Sequence, residues 1–571
     1  MKNIVLLSLV WLMACMPTQQ TQNSNQTSLP EAKSMAAKRH AMVVSAREEA
    51  STIGIEIMRK GGNAFDAMVA TDAALAVCFP FAGNIGGGGF MVYRLKDGTT
   101  GTLDYREKAP KAAHEKMYQN EKGDLIPRLS MDGALAVGVP GTVAGMYEAH
   151  QKFGKLSWKE VMQPAIDLAK NGFVVTKKQA SMLNGSRLLF QKVNKDRKIY
   201  FDKEWKEGDM IVQPNLAKTL EKIRDHGRDG FYKGEVAKKT VAFIQKNGGI
   251  ITIEDLEEYN PVWRDPIQFN FHDYKITTMG PPSSGGIVLG QILKTLENYP
   301  LNEMEHNSAD YIQLITEAER RAYADRSKYL GDPDFVNVPL VELMDDTYLK
   351  DRMNDFDWNK ATLSSDIAPG EIEWTESNET THYSIVDTEG NAVSVTTTVN
   401  GAYGSKLYDN ELGYFFNNEM DDFSAKPGVP NMFGLIGGEA NKIEPEKRML
   451  SSMTPTIVSK NDKLYMVLGT PGGSTIITTV LQTILNQTIF DMNMQDAVAA
   501  PRFHHQWLPD EITFEPKGFS PKVIQKLTDK GYIIIEKNNS ILGKMDAIRV
   551  LEDGSLEGGA DPRGDDSAVE L

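Results

Sequence analysis

The chain has 571 residues, 41% hydrophobic and 24% charged, an ordinary globular composition with enough length to bury a large core. A formal net charge of -15 and a pI near 5.3 argue against a nucleic-acid groove or a polybasic membrane surface as the working face. No Pro/Ser/Gly-rich linker follows residue 40 and no internal repeat is seen, so one interwoven α/β unit is expected in place of the three or four domains that length alone would suggest.

Lys2 is followed by an apolar run from Ile4 to Ala14, too short to span a bilayer and readable as a secretory core. Leu12-Met13-Ala14-Cys15 resembles a bacterial lipoprotein box, with Met13 bulkier than the usual occupant. That makes residues 1–14 a signal peptide, Cys15 the lipidated residue and 15–40 a polar tether. Plain signal cleavage to a free periplasmic protein is the competing reading, and both readings export the chain. The only other cysteine, Cys78, lies in the apolar stretch Ala73–Phe79, where a buried, non-catalytic thiol is expected.

From Ala50 to Phe90 the pattern is helix, a Gly61-Gly62-Asn63 break, helix, then a glycine-rich turn from Gly83 to Gly89. A phosphate loop is rejected, since no Gly-Lys-Ser/Thr follows and Phe90-Met91-Val92-Tyr93 continues as a strand. These glycines are expected to let backbones approach at the edge of a site. The next strand ends at Leu103-Asp104-Tyr105 and delivers Arg106. Residues from Val137 to Arg326 are expected to be mainly helical, and Glu317–Arg326 reads as a salt-bridged exposed face. The nine histidines show no metal-binding spacing, no Gly-x-Ser-x-Gly elbow seats a serine, and neither a metal nor an organic cofactor is assigned.

Thr381 to Val386 and Ala392 to Val399 read as two strands joined by the turn Asp387–Asn391. Period-two alternation puts Val393, Val395 and Thr397 on one face and Ser394, Thr396, Thr398 and Asn400 on the other. Further on, Lys463–Gly469 reads as a strand, Thr470-Pro471-Gly472-Gly473-Ser474 as a tight loop, and Thr475–Asn486 as an apolar helix. A loop feeding a helix N-terminus gathers backbone N–H groups at one spot. A threonine hydroxyl becomes a useful nucleophile when its own α-amine, with a pKa of about 7.7 to 8.0, serves as base, and that requires a cut just before it.

The order of Thr380, Met420-Asp421-Asp422-Phe423-Ser424, Leu450-Ser451-Ser452-Met453-Thr454-Pro455 and Pro471-Gly472-Gly473-Ser474 resembles the γ-glutamyltranspeptidases, N-terminal nucleophile hydrolases that cut themselves before a threonine. The likeness runs from about Ala50 to the C-terminus. It implies a four-layer αββα sandwich, cleavage between Glu379 and Thr380, a large subunit over 41–379 and a small subunit over 380–571 that stay paired as a heterodimer. It also implies roles: Thr380 as nucleophile, Thr398 bonded to it, and Gly472 and Gly473 as oxyanion hole. Arg106 with Ser451 and Ser452 would hold the donor's α-carboxylate, and Asn400, Glu419 and Asp422 its amino-acid end. Some relatives carry glutamine where Glu419 stands. The segment Pro427–Gly434 resembles a lid, with Phe433 where many relatives have tyrosine.

The chemistry implied is attack by Thr380 Oγ on a γ-glutamyl carbonyl, with the resulting ester passed to water or to an amino acid or dipeptide acceptor. Glutathione is the family's usual donor. The alternatives are a related acylase or poly-γ-glutamate processing enzyme, and an uncleaved peptide-binding lipoprotein.

Overall fold

The hairpin is the centre of a seven-stranded antiparallel sheet. The computed structural model describes residues 40–194, 200, 203–368, 380–536 and 541–571; the expected signal peptide, Cys15, the tether up to residue 39, and Glu379 lie outside them. The two strands are Thr381–Val386 and Ala392–Thr398, within a residue of the sequence reading. They pair Thr381 with Thr397 and His382 with Thr396. Met42–Ser45 and then Ser567–Glu570 flank one side; Gly88–Arg94, Thr100–Tyr105 and Val262–Arg264 flank the other. A second, six-stranded antiparallel sheet runs in the order Leu556–Ala560, Asp546–Val550, Lys463–Gly469, Thr456–Lys460, Tyr274–Thr278, Ile267–Phe271.

Alternation along the strands sorts side chains into layers. Val43, Met91, Tyr383, Ile385, Val393 and Val395 face the helices Glu48–Arg59, Ala64–Cys78, Thr142–Phe153 and Trp158–Asn171 in the largest core. The opposite face of the same sheet meets the second sheet through Met42, Val44, Phe90, Val92, Ile457, Val467 and Ile548. Ile276, Val458, Met466, Leu468 and Ala547 then carry the helices Gly285–Leu296, Ala309–Tyr329 and Thr475–Thr488. This is the expected helix–sheet–sheet–helix sandwich, each fully buried Val, Leu or Ile contributing about 1.5–3 kcal/mol of apolar burial. Ala64–Cys78 is buried all round, as a helix apolar on every face must be. Cys78, within it, is a free buried thiol.

One expectation holds and one is corrected. The span Val137–Arg326 is mainly helical, as expected, and it also carries strands. Val262–Arg264 joins the first sheet, and Ile267–Phe271 with Tyr274–Thr278 forms a hairpin at the edge of the second. The period-two run Ile267, Phe269, Phe271 carries the strand signal there. The stretch Glu317–Arg326 is not an exposed face. Glu317, Glu319, Arg320, Arg321, Asp325 and Arg326 are all buried, because their partners come from distant segments: Arg320 with Asp510, Arg321 with Asp355 and Asp325 with Arg352.

Candidate active site

The first sheet's register, continued by one pair, sets Thr398 across from Thr380 on the face toward the second sheet. Thr398 Oγ1 accepts from the Asn400 amide N–H at 2.7 Å, and Asn400 Nδ2 donates to the Asn418 carbonyl at 3.0 Å. Asn400 holds φ +70°, so the strand turns out of the sheet there and its side chain reaches the cavity. The glycine-rich turn does what was expected of it. A Cβ on Gly87 would lie 1.9 Å from the Thr398 carbonyl oxygen, so only glycine lets this backbone pass beneath the residue across from Thr380.

Thr380, Thr398, Asn400, Arg106, Glu419, Asp422, Phe433, Ser451, Ser452 and Gly473 line one small cavity. Of the residues singled out in the sequence, Gly472 alone among those described does not line it. Its carbonyl instead accepts from the Thr475 N–H at 3.0 Å and from Thr475 Oγ1 at 2.8 Å, closing the helix Thr475–Thr488 onto the loop. Gly472 and Gly473 have φ +142° and +55°, in the region that favours glycine, and neither amide N–H finds an acceptor among the described residues. The Tyr323 hydroxyl fixes the end of this loop by donating to the Ser474 carbonyl at 2.6 Å.

Opposite the loop lies a buried charge cluster. Arg106, 1% exposed, spends Nη1 on Glu419 and Nη2 on Asp422, while Nε donates to the Met449 carbonyl at 3.3 Å. Glu107 stands 3.7 Å from the same guanidinium. The Arg106 guanidinium faces three carboxylates. Burial, opposed by Arg106, pushes Glu107 up to about 8, Asp422 up to about 6 and Glu419 well above the usual carboxylate range. The cluster therefore titrates as a unit and takes up protons as the pH falls through the neutral range.

The segment Pro427–Gly434 is held at the cavity wall by side-chain hydrogen bonds. Asn431 Nδ2 donates to Asp422 Oδ1 at 3.1 Å, and its Oδ1 accepts from the Phe433 and Leu435 amides at 3.0 and 3.2 Å. The Met432 amide donates to Asp421 Oδ2 at 2.8 Å. Phe433 is 3% exposed and packs into the cavity wall.

His382 sits on the same face two residues from Thr380, buried between the sheets. Ser384 Oγ donates to the Asp546 carbonyl at 2.9 Å, so it accepts from His382 Nε2, and Nδ1 accepts from Thr396 Oγ1 at 2.9 Å. Burial lowers its pKa to about 3. A neutral imidazole with both nitrogens engaged is a structural group, not a base for Thr380. The sequence reading passed over Glu107, Tyr323, Arg326 and Asn431. Only Glu107, next to Arg106, carried a local signal; the others reach the site through tertiary packing.

A buried threonine at the head of a central strand of an αββα sandwich, facing amide N–H groups at a helix N-terminus, defines the class of N-terminal nucleophile hydrolases. The family model for gamma-glutamyltranspeptidase matches residues 50–571, and the chain belongs to that family. The glutathione hydrolase proenzyme of Escherichia coli (strain K12) is 49% identical over 530 residues, 92% of this chain and 90% of its own. That of Pseudomonas aeruginosa is 46% identical, over 91% and 93%. Among solved structures, a cephalosporin acylase from Bacillus halodurans superposes with a TM-score of 0.82 at 25% identity, covering 95% of this chain and 98% of that one. A Helicobacter pylori gamma-glutamyltranspeptidase chain, 45% identical with a TM-score of 0.56, covers 58% of this chain and 96% of its own.

Proposed function

We propose that cleavage between Glu379 and Thr380 frees Thr380 as a chain terminus, and that its hydroxyl then attacks the γ-carbonyl of γ-glutamyl donors such as glutathione. The new α-amine takes the hydroxyl proton, and the amide N–H groups of Gly472 and Gly473 receive the charge that develops on the carbonyl oxygen. The amine product leaves with the proton returned by the α-amine. The Thr380 ester passes to water or to an amino acid or dipeptide acceptor. The segments before and after the cut remain paired, since Met42–Ser45 and Gly88–Arg94 flank the Thr380 hairpin within one sheet.

The observation that carries this reading is the Arg106–Asp422–Glu419 cluster facing Thr380 across a single cavity. The α-carbon end of a γ-glutamyl group is a zwitterion. Its carboxylate suits the Arg106 fork, with Ser451 and Ser452 beside it, and its ammonium suits Asp422 and Glu419, with Asn400 at hand. Inserting a zwitterion between a buried cation and buried anions replaces one set of ion pairs with two, so neither partner is stranded. An acylase shares the sandwich, but a neutral acyl chain would leave that cluster without use. The experiment is release of anilide from γ-glutamyl-p-nitroanilide, run beside N-terminal sequencing of the smaller fragment. Turnover with a fragment starting at Thr380 supports the reading; turnover of neutral acyl anilides alone overturns it. For location we propose export to the periplasm, with Cys15 as the lipid attachment point; among the described residues no helix is long and apolar enough to cross a membrane.

A further inference from the structure

Arg326 lies on the helix Ala309–Tyr329 and is 3% exposed. Other buried arginines around this helix have carboxylate partners: Arg320 has Asp510, and Arg321 has Glu317 and Asp355. Arg326 forms no ion pair among the described residues. Its Nε donates to Ser284 Oγ at 2.9 Å and its Nη2 to Ser452 Oγ at 3.2 Å. Burial pushes its pKa down to about 10, with Tyr323 and Asp422 pulling the other way. A guanidinium held out of water with only hydroxyl partners is costly to keep, which points to an anion it serves.

The direction of each hydrogen bond says which anion. A hydroxyl that accepts from a guanidinium still has its own proton to give. Ser284 gives its proton to the Ser451 carbonyl at 2.7 Å, and the Ser284 amide donates to the same oxygen at 2.8 Å. Ser452 Oγ gives its proton to no group among the described residues, and Ser452 lines the cavity. Ser451 Oγ accepts from the Met453 amide at 3.0 Å, which likewise leaves its proton available. Both serines therefore present hydroxyl donors, one oriented by Arg326 directly and the other fixed through Ser284.

We propose that Arg326 is a positioning residue for the donor's α-carboxylate, turning the Ser452 hydroxyl proton into the cavity, fixing Ser451 through Ser284 and supplying a second positive charge behind them. This rests on the γ-glutamyl reading of the cavity. It makes Arg326 a determinant of specificity for acyl groups that carry an α-carboxylate, while the reacting carbonyl is left to the Thr380 and Gly473 side.

The test compares two donors, γ-glutamyl-p-nitroanilide and 4-aminobutanoyl-p-nitroanilide, which keeps the amine and lacks the carboxylate. In the self-cleaved full-length protein, Arg326→Gln is expected to lower the kcat/KM ratio of the first donor over the second by about 10- to 100-fold, mainly through KM of the glutamyl donor. Arg326→Lys, which keeps the charge and loses the fork, is expected to fall between. If Arg326→Gln does not accumulate as folded protein, the Lys variant carries the test on the same ratio. Equal losses on both donors, or an unchanged ratio, overturn the proposal by reducing Arg326 to a packing role. Arg106→Gln is the control: if it too leaves the ratio unchanged, the γ-glutamyl reading fails and takes this proposal with it. If Arg106→Gln lowers the ratio and the Arg326 variant does not, only the role of Arg326 falls.

Discussion

Asn431 and Asp422 are joined by a hydrogen bond of 3.1 Å, and the carboxylate that receives it holds Arg106 with its other oxygen. The segment proposed as a lid is thus fastened to the group proposed to bind the donor's ammonium. The same Asn431 side chain accepts from the Phe433 and Leu435 amides, so it orders the residues that wall the cavity.

Asn431→Ala should loosen the lid and let water reach the Thr380 ester more readily. A hydrogen bond to a charged group is worth about 1.5–3 kcal/mol, so the ratio of closed to open segment should fall by roughly 10- to 150-fold. The hydrolysis share of turnover, measured at a fixed dipeptide concentration, should rise. Phe433→Tyr should move it the other way by adding a hydroxyl to the wall of the cavity that Asn400 also lines. An unchanged ratio of hydrolysis to transfer in both variants would remove the lid from the account.

Arg106→Gln strands Glu419 and Asp422 in a buried site and removes the carboxylate fork. Breaking such a pair costs about 3–5 kcal/mol, on the order of 10² to 10⁴ in kcat/KM. Self-cleavage, which uses no donor zwitterion, should be affected much less. Wild-type turnover of γ-glutamyl-p-nitroanilide in this variant would refute the carboxylate role.

Proton uptake by the buried cluster, in which Asp422 is raised to about 6, removes the ionised partner that an ammonium needs. The Thr380 α-amine, with a reference value of about 7.7 to 8.0, must also be neutral to act. Log kcat/KM should therefore fall with a slope near one below the amine's pKa and steepen toward two below about pH 6. A glutaryl anilide, which lacks the α-amine, has no use for ionised Asp422 and should keep the slope of one. Identical acid limbs for the two donors would contradict the assignment.

Tyr323→Phe removes the hydroxyl that anchors the Ser474 carbonyl. A neutral hydrogen bond contributes about 0.5–1.5 kcal/mol, so kcat should drop by roughly 2- to 13-fold as Gly472 and Gly473 lose alignment, with KM little changed. Single-turnover acylation of the variant checks it, and an unaltered acylation rate would detach Tyr323 from the oxyanion loop.

The hairpin and the strand–loop–helix around Gly472 and Gly473 were legible because their signals are local: period-two alternation, a turn between, and glycines before an apolar run. The helix Ala309–Tyr329 was not. Glu317, Arg320, Arg321 and Arg326 look like a solvated stripe at helical spacing, and nothing within one turn reveals that Asp510, Asp355 and Ser452 come from far along the chain to cover them. The same holds for Asn431, whose importance lies in reaching Asp422 across a loop. The strands Ile267–Phe271 and Tyr274–Thr278, short interruptions of a mainly helical span, carry alternation that is readable locally.

The central claim is that Thr380 becomes both a chain terminus and the nucleophile. Intact-mass measurement and N-terminal sequencing of purified wild type and Thr380→Ala, each assayed with γ-glutamyl-p-nitroanilide, test it most directly. The wild type should separate into two fragments, the smaller running from Thr380 to Leu571, and turn over the donor; the alanine variant should stay a single inactive chain. An active wild type that remains whole, or whose smaller fragment begins at another residue, would contradict it.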